Sequence, residues 1–159
     1  MGSSQSKGGL RQRVRPLVPR SWAELEQLHL RFQQETHRRQ SEREVQYFFS
    51  FPVFRAIVAP LCPTHDKTQL LAMFTALDHK QRSKIAAIDF FCGLALVVDA
   101  KKAQKLEFLM DLLDNGGSKT LNRCELTILL SAAARGLAMF TMLPYPHHDS
   151  MRPLVRREP

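Results

Sequence analysis

The sequence contains no hydrophobic stretch long enough to cross a membrane and no side-chain pattern typical of an active site. Its apolar runs stay well below the roughly 20 residues that span a bilayer, and the first twenty residues lack the apolar segment of a secretory signal. No nucleophile–base arrangement, phosphate-binding loop or acid–base carboxylate pair is present. We therefore expect neither a membrane-spanning protein nor an enzyme.

Cysteine is scarce and unpaired in the sequence. The three cysteines, Cys62, Cys92 and Cys124, form no CxxC pair and lie among apolar neighbours. This usage favours buried free thiols in a reducing compartment over disulfides. We therefore expect a cytoplasmic protein.

Acidic residues are outnumbered: 23 Lys and Arg stand against 15 Asp and Glu, for a formal net charge of +8. Such an excess favours an acidic partner, which is a membrane surface, a nucleic acid or an acidic protein. The arginines cluster in the terminal segments rather than on a helix face, and no stacking-aromatic pattern accompanies them, so no specific nucleic-acid binding is expected. At 159 residues and 44% hydrophobic content, the chain supports one domain with a substantial core.

The first twenty residues carry basic but no acidic side chains. Removal of Met1 would expose Gly2 with Ser6 four positions later, which fits the N-myristoylation pattern. One acyl chain binds membranes only marginally, and a basic patch is a common second signal. The expected membrane-contacting basic residues are Lys7, Arg11, Arg13, Arg15 and Arg20. We expect a flexible tail over 1–20 that holds the protein peripherally on a membrane; the alternative is an unmodified basic tail.

A helix–loop–helix pattern organises the second half of the chain. An apolar helical run leads into the twelve residues Asp114–Glu125, and a second apolar run begins at Leu126. Oxygen-bearing side chains occupy positions at which such a loop binds calcium. The candidate ligands are Asp114, Ser118, Thr120, Asn122 and Glu125. The alternative is two amphipathic helices joined by a Gly-Gly loop.

The chemistry of this loop is incomplete. Position three is Gly116, which has no side-chain oxygen, and position six is Lys119, where φ is normally positive and glycine is preferred. A lysine in left-handed geometry costs roughly 1 kcal/mol or more. Because only two carboxylates remain, we expect calcium to bind here weakly or not at all, and no other cofactor to bind.

An earlier copy keeps the layout and loses the ligands. Asp78 precedes Asp114 by 36 residues (114 − 78), Ile85 stands at position eight, and Asp89 closes the loop at position twelve. Positions three, five and seven are Lys80, Arg82 and Lys84. Three cations facing two carboxylates repel a divalent ion. We therefore expect this helix–loop–helix unit to fold without binding a metal.

A third, decayed copy is expected near residues 22–58. Ser21 and Glu24 form a capping box at the start of an amphipathic helix. Aligning its apolar stripe with that of the later copies places Thr36 at loop position one and Tyr47 at position twelve, and neither suits calcium. Position eight becomes Arg43.

This organisation resembles the calcineurin B and neuronal calcium sensor group of EF-hand proteins over roughly Trp22–Arg135. The residues that carry the resemblance are Phe32, Phe48–Pro52, Phe74 with Asp78, Asp89-Phe90 followed by Gly93, Gln104-Lys105-Leu106, and Asp114 through Glu125-Leu126. The resemblance implies an all-α, EF-hand-like array (22–58, 66–98 and 102–135) within a domain spanning 21–140. It also implies that the protein is a myristoylated regulator, which binds a target helix in an apolar groove. Proteins of that group carry four hands, whereas this chain has room for three.

The odd number of units predicts a partner surface. EF-hands pair through loop position eight, so we expect the region near Arg43 or Val45 to pair with Ile85. The 102–135 unit then lacks a mate and leaves apolar side chains open. These residues are Leu109, Leu113, Leu126, Leu129 and Leu130. Three occupants stay open: a target helix, a homodimer mate, or the Ala138–Leu143 segment folding back.

The last segment is not expected to hold a site. Gly136 either caps the last helix or lies inside an extension of it, and prolines make 141–159 an extended tail. His147, His148 and Asp149 are adjacent there and are not expected to converge on a metal. The expected function is a membrane-tethered regulatory adaptor; the alternative is a calcium-independent docking subunit of a larger assembly.

Overall fold

The computed structural model describes residues 9–39, 47–114 and 117–146. Across these ranges the chain forms six α-helices and one two-stranded sheet, which confirms the expected all-α class. The elements are α1 (Trp22–Arg38), β1 (Phe48–Phe49), α2 (Phe51–Val58), α3 (Lys67–Leu77), β2 (Ile85–Ala86), α4 (Ala87–Val97), α5 (Lys102–Asp111) and α6 (Arg123–Phe140). None of these helices combines the length and apolarity needed to cross a bilayer.

Several residues named from the sequence lie outside the described ranges. They are Gly2, Lys7, Arg43, Val45, Gly116, His147, His148 and Asp149. The expectations of a lipid at Gly2 and of no metal at His147 therefore stay predictions.

Side chains fix the starts of three helices. At α1 the Ser21 hydroxyl accepts a hydrogen bond from the Glu24 N–H at 3.3 Å, as the sequence predicts. The reciprocal half of the predicted capping box is wrong, because Glu24 Oε2 accepts from the Arg20 N–H at 2.7 Å. At α6 the capping is reciprocal, because Asn122 Oδ1 accepts from the Glu125 N–H and Glu125 Oε2 accepts from the Asn122 N–H. The same reciprocal pair at Asp66 and Gln69 begins α3.

A short antiparallel ribbon joins the α1–α2 unit to the α3–α4 unit. Phe49 pairs with Ile85, and Phe48 pairs with Ala86. Ile85 is thus a ribbon residue as expected, but the predicted partner near Arg43 or Val45 is wrong. The fully buried side chain opposite Ile85 belongs to Phe49, and this core-facing position suits a large apolar ring.

Helix α4 lies at the centre of the core. The Phe90 ring lies 5.3 Å from that of Phe49 in the ribbon and 5.6 Å from that of Phe140 in α6, measured between centroids. On the neighbouring face, the Phe91 ring lies 5.2 Å from Phe32 of α1. Edge-to-face and tilted ring pairs of this kind stabilise a core beyond the area they bury. One helix therefore holds elements from all three helical units together.

Helices α4 and α6 cross in direct backbone contact at Gly93 and Gly136. A Cβ atom on Gly93 would overlap the carbonyl oxygen of Gly136, and one on Gly136 would overlap the carbonyl oxygen of Asp89. Gly136 is therefore a crossing residue rather than a helix cap, and α6 continues to the buried Phe140. The third unit extends beyond the predicted boundary at 135, because the added turn packs against the core.

The segment 9–20 is packed, so the expectation of a flexible tail over 1–20 is wrong for these residues. Val14 and Leu17 are fully buried, and a short 3₁₀ turn spans Arg15–Leu17. The thiol of Cys62 lies 3.7 Å from the carbonyl oxygen of Pro16 and donates to it. The apolar residues between the arginines are buried, although the composition of this segment is strongly basic.

The three cysteines are free thiols, but they are not all buried. Cys62 and Cys92 lie in the core as expected, whereas Cys124 is exposed near the start of α6. Burial raises the pKa of Cys92 to about 12, with the nearby Asp89 carboxylate adding to the rise. The prediction for Cys124 failed because apolar neighbours in sequence lie on other faces of its helix.

Candidate functional site

The loop from Asp78 to Asp89 is closed by its first carboxylate. Asp78 Oδ1 accepts from the N–H of Arg82 at 3.1 Å, and Oδ2 accepts from the N–H of Ser83 at 2.8 Å. Ser83, at position six, has φ 57°, in the left-handed region. The loop keeps the sharp turn that the layout requires, with serine in place of glycine.

The loop from Asp114 to Glu125 repeats this arrangement. Asp114 Oδ1 accepts from the N–H of Ser118 at 3.1 Å, and Oδ2 accepts from the N–H of Lys119 at 2.7 Å. Lys119 has φ 54°, so the positive φ expected at position six is confirmed. The equivalent hydrogen bonds in the two loops support their reading as copies of one unit.

The candidate calcium ligands of the later loop also make hydrogen bonds within the protein. The Ser118 hydroxyl lies 3.2 Å from Asp114 Oδ1 and 3.2 Å from the Thr120 carbonyl oxygen, and its single hydrogen is donated to one of these two acceptors. Glu125 and Asn122 are joined in the cap of α6, at 2.8 Å and 2.9 Å. Among the described residues, no group of three or more His, Cys, Asp or Glu is placed to hold a metal ion. Two carboxylates already engaged in the fold make a poor donor set for calcium.

At position twelve of the earlier loop, Asp89 binds an arginine. Arg135 of α6 donates from Nε to Asp89 Oδ2 at 2.8 Å and from Nη2 to Oδ1 at 3.0 Å. Asp89 is buried, and burial raises its pKa while the hydrogen bonds from Arg135 oppose that rise. The pair is ionised because a guanidinium keeps its proton in proteins. A cation of the protein itself therefore neutralises the carboxylate that would close a metal loop.

Sequence reasoning missed Arg135. It stands 46 residues from Asp89, and no local spacing links the two. The available signal was indirect: a carboxylate inside an apolar helix such as α4 requires a buried cation, and Arg135 is a basic residue within the apolar part of α6.

The five predicted partner-binding leucines separate into core and surface residues. Leu109 and Leu129 are buried in the core and are not available to a partner, and Leu113 is partly buried. Leu126 and Leu130 are 46% and 62% exposed. They continue along one face of α6 with the partly buried Ala133 and Leu137. We call Leu126, Leu130, Ala133 and Leu137 the α6 stripe.

The structure excludes one of the three expected occupants of this surface. Ala138–Phe140 continue α6 into the core instead of folding back over the stripe. Sequence reasoning also missed Leu106 and Ile128, which are exposed on α5 and on another face of α6. Hydrophobic periodicity predicts an apolar face on each helix, but it does not predict which apolar residues beside that face stay exposed to solvent.

The basic residues of the first segment do not share one role. Arg13, Arg15 and Arg20 are exposed, as membrane contact requires. Arg11 instead donates from Nη1 to the carbonyl oxygens of Ala76 at 3.1 Å and Met139 at 3.0 Å. Burial lowers the pKa of Arg11, with Arg13 contributing. The expectation of lipid contact is therefore wrong for Arg11, because two helix-end carbonyls take up its guanidinium.

The geometry thus gives two loops closed by their first aspartates, an internal ion pair and an exposed stripe on α6. Comparisons with protein-family models, with curated proteins and with solved structures find no match for this chain. Its functional interpretation depends on these residues and their chemistry.

Proposed function

We propose that the protein is an EF-hand-like adaptor, tethered to a membrane by a lipid at Gly2, that binds a protein partner without a calcium switch. The observation that carries the proposal is the ion pair between Asp89 and Arg135. It supplies a permanent positive charge at a loop position where a calcium-responsive protein would bind its metal.

The EF-hand-like part of the proposal is supported by the layout of the first four helices. Two helix–loop–helix units are joined by an antiparallel ribbon, which passes through Ile85 at loop position eight. In both described loops the first aspartate binds the N–H groups of positions five and six. Position six has positive φ in both, at Ser83 and at Lys119.

Independence from calcium follows from charge in the earlier loop. Lys80 and Arg82 are exposed there, and Lys84 lies with its Nζ 4.6 Å from the centre of the Phe48 ring. A divalent ion would meet these cations and would have to displace Arg135 from Asp89. The loop is therefore held in one conformation by the protein, and partner binding does not wait for a metal.

The α6 stripe is the proposed partner surface. Exposed leucines one turn apart present a continuous apolar strip to a partner helix. The unit that carries them has no ribbon mate among the described residues, because both strands belong to the first two units. A second protein is the proposed occupant, and a second copy of this chain is the competing outcome.

The test of the stripe uses a matched pair of variants on one helix. L126D/L130D places two aspartates on the stripe and L130D places one, whereas I128D places one on another exposed face of α6, so L130D and I128D are matched in charge. Partner recovery from cell extract should fall at least tenfold for L126D/L130D and stay near wild type for I128D, with no change when calcium is chelated. Equal recovery from L126D/L130D would reject the stripe, and recovery that requires calcium would reject the absence of a switch.

The tether is tested separately with Gly2→Ala. Wild-type protein made with an N-myristoyltransferase should carry the acyl mass increment and sediment with membranes, and Gly2→Ala should do neither. Sedimentation velocity of the same samples distinguishes a partner complex from a homodimer. If no acyl increment appears while the stripe still binds its partner, the protein is the calcium-independent docking subunit instead, which the Asp89–Arg135 pair equally favours.

A further inference from the structure

An exposed apolar cluster surrounds the point where the two ends of the described chain meet. Leu10 forms an antiparallel bridge with Thr141, and the Met142 N–H donates to the Gly9 carbonyl oxygen at 3.0 Å. Beside this bridge, the side chains of Leu10, Met142 and Leu143 are 38%, 69% and 42% exposed. Three large apolar side chains are thus held outward by backbone hydrogen bonds.

The earlier loop lies next to this cluster. The Arg11 guanidinium, one residue from the bridge, lies 3.4 Å from Nε2 of His79 at the start of the loop. Tyr145 stacks on the His79 ring with the centroids 4.4 Å apart. Lys80, Arg82 and Tyr145 line one shallow cleft. The loop cations and the apolar cluster therefore belong to the same region of the surface.

The charge of this region is positive towards solvent. Lys80, Arg82 and Arg13 are exposed. The two carboxylates of the loop are engaged within the fold, since Asp78 accepts from backbone N–H groups and Asp89 binds Arg135. An apolar cluster next to exposed cations matches an anionic bilayer surface, where acyl chains accept the apolar residues and headgroups attract the cations.

The segment before Gly9 points to the same occupant. Gly2 precedes Gly9 by seven residues (9 − 2), which at full extension span at most about 25 Å. A lipid on Gly2 would therefore enter the bilayer close to the bridge. The apolar cluster would then meet the same membrane without rearrangement of the fold.

We propose that Leu10, Met142 and Leu143, with Lys80, Arg82 and Arg13, form a membrane-contact face that binds anionic lipid. The loop that lost its metal ligands thereby serves as the electrostatic part of the membrane contact. This inference rests on the proposed membrane tether but names a face that acts in addition to it. One lipid chain gives marginal binding, and this face supplies the second attachment.

The test measures cosedimentation of the full chain with phosphatidylcholine vesicles that contain or lack phosphatidylserine. The protein is prepared with and without the acyl chain on Gly2. K80Q/R82Q should weaken binding to the anionic vesicles about thirty-fold, since each basic residue near an anionic surface contributes about 1 kcal/mol. The control K102Q/R123Q removes the same net charge from exposed residues at the starts of α5 and α6 and should weaken binding less than threefold. M142S/L143S should weaken binding to both vesicle types.

The lipid-free chain separates this inference from the tether. It should still prefer the anionic vesicles at low salt, because the face does not need the acyl chain. If the lipid is found on Gly2 but K80Q/R82Q binds no more weakly than K102Q/R123Q, the tether stands and the face is rejected. If the lipid is absent and K80Q/R82Q still loses binding selectively, the face stands and the tether is rejected.

Discussion

Arg135 holds both carboxylate oxygens of Asp89, at 2.8 Å and 3.0 Å, beside the crossing of α4 and α6. Replacing Arg135 by Met would leave a buried carboxylate without its cation. Such a loss typically costs about 3–5 kcal/mol of unfolding free energy. We expect R135M to unfold at a clearly lower urea concentration than wild type, as followed by circular dichroism.

A double variant shows whether the loss comes from the isolated charge. D89L/R135M replaces both partners by apolar side chains and should be more stable than R135M, because no buried charge remains. R135K keeps the positive charge but loses the bidentate hydrogen bonds. Its stability should therefore lie between those of wild type and R135M. An R135M protein as stable as wild type would show that Asp89 is neutral or solvated in solution.

The glycine crossing predicts a second loss of stability. Gly93→Ala places a methyl group against the backbone of α6, so the helices must separate, at a typical cost of about 1–3 kcal/mol or more. Gly117→Ala is the matched control, since Gly117 has open space around it and φ 65°. Its cost should be limited to the left-handed backbone, about 1 kcal/mol. Thermal melts that rank Gly117→Ala below Gly93→Ala would contradict the crossing.

His29 predicts a dependence of stability on pH. It lies against the rings of Phe91 and Phe108, with centroids 4.9 Å and 5.2 Å away, and burial lowers its pKa from the ordinary value of 6.5. Below about pH 6.5 the unfolded chain therefore binds more protons than the folded chain. The His29 contribution to stability is complete above that pH and is lost as the pH falls below it.

Urea titrations across this range test the assignment. His29→Gln should flatten the fall in stability on the acid side relative to wild type, because it removes the buried imidazole. Identical slopes for wild type and His29→Gln would assign the dependence to another group.

Calcium titration tests the later loop. Calorimetry should give a dissociation constant weaker than about 10⁻⁵ M, because the loop offers two carboxylates and both already accept backbone hydrogen bonds. Any heat that is observed should vanish in Glu125→Gln. Submicromolar binding would show that Glu125 readily leaves its hydrogen bond to the Asn122 N–H and binds the ion. Binding that is retained in Glu125→Gln would place the site elsewhere.

The parts of this fold that could be predicted depend on local signals. The capping residues of α1 and the positive φ at Lys119 follow from residues within one turn or one loop. The place of Ile85 in the ribbon follows from the twelve-residue spacing between Asp78 and Asp89, which its loop keeps. The predicted partner near Arg43 or Val45 is wrong because the sequence between Thr36 and Tyr47 has no spaced aspartates to fix the register.

The parts that failed depend on contacts between distant residues. The pairing of Asp89 with Arg135 and the meeting of Gly93 with Gly136 exist only because α6 packs across α4. The burial of Val14 is likewise invisible in a segment whose composition is dominated by arginine. The predicted exposure of Leu109 and Leu129 is wrong because helical periodicity identifies an apolar stripe but not the neighbour that covers it.

The bridge between Leu10 and Thr141 brings both ends of the described chain to one place on the fold. Adjacent ends allow a chain to be closed on itself and reopened at an exposed loop without changing its contacts. A circular permutant joined by a short Gly-Ser linker there should therefore keep the helical core. A bulky reporter joined directly to residue 9 or residue 146 would sit near this bridge, so a tag on the exposed loop at Gly117 is the better choice for locating this protein in cells.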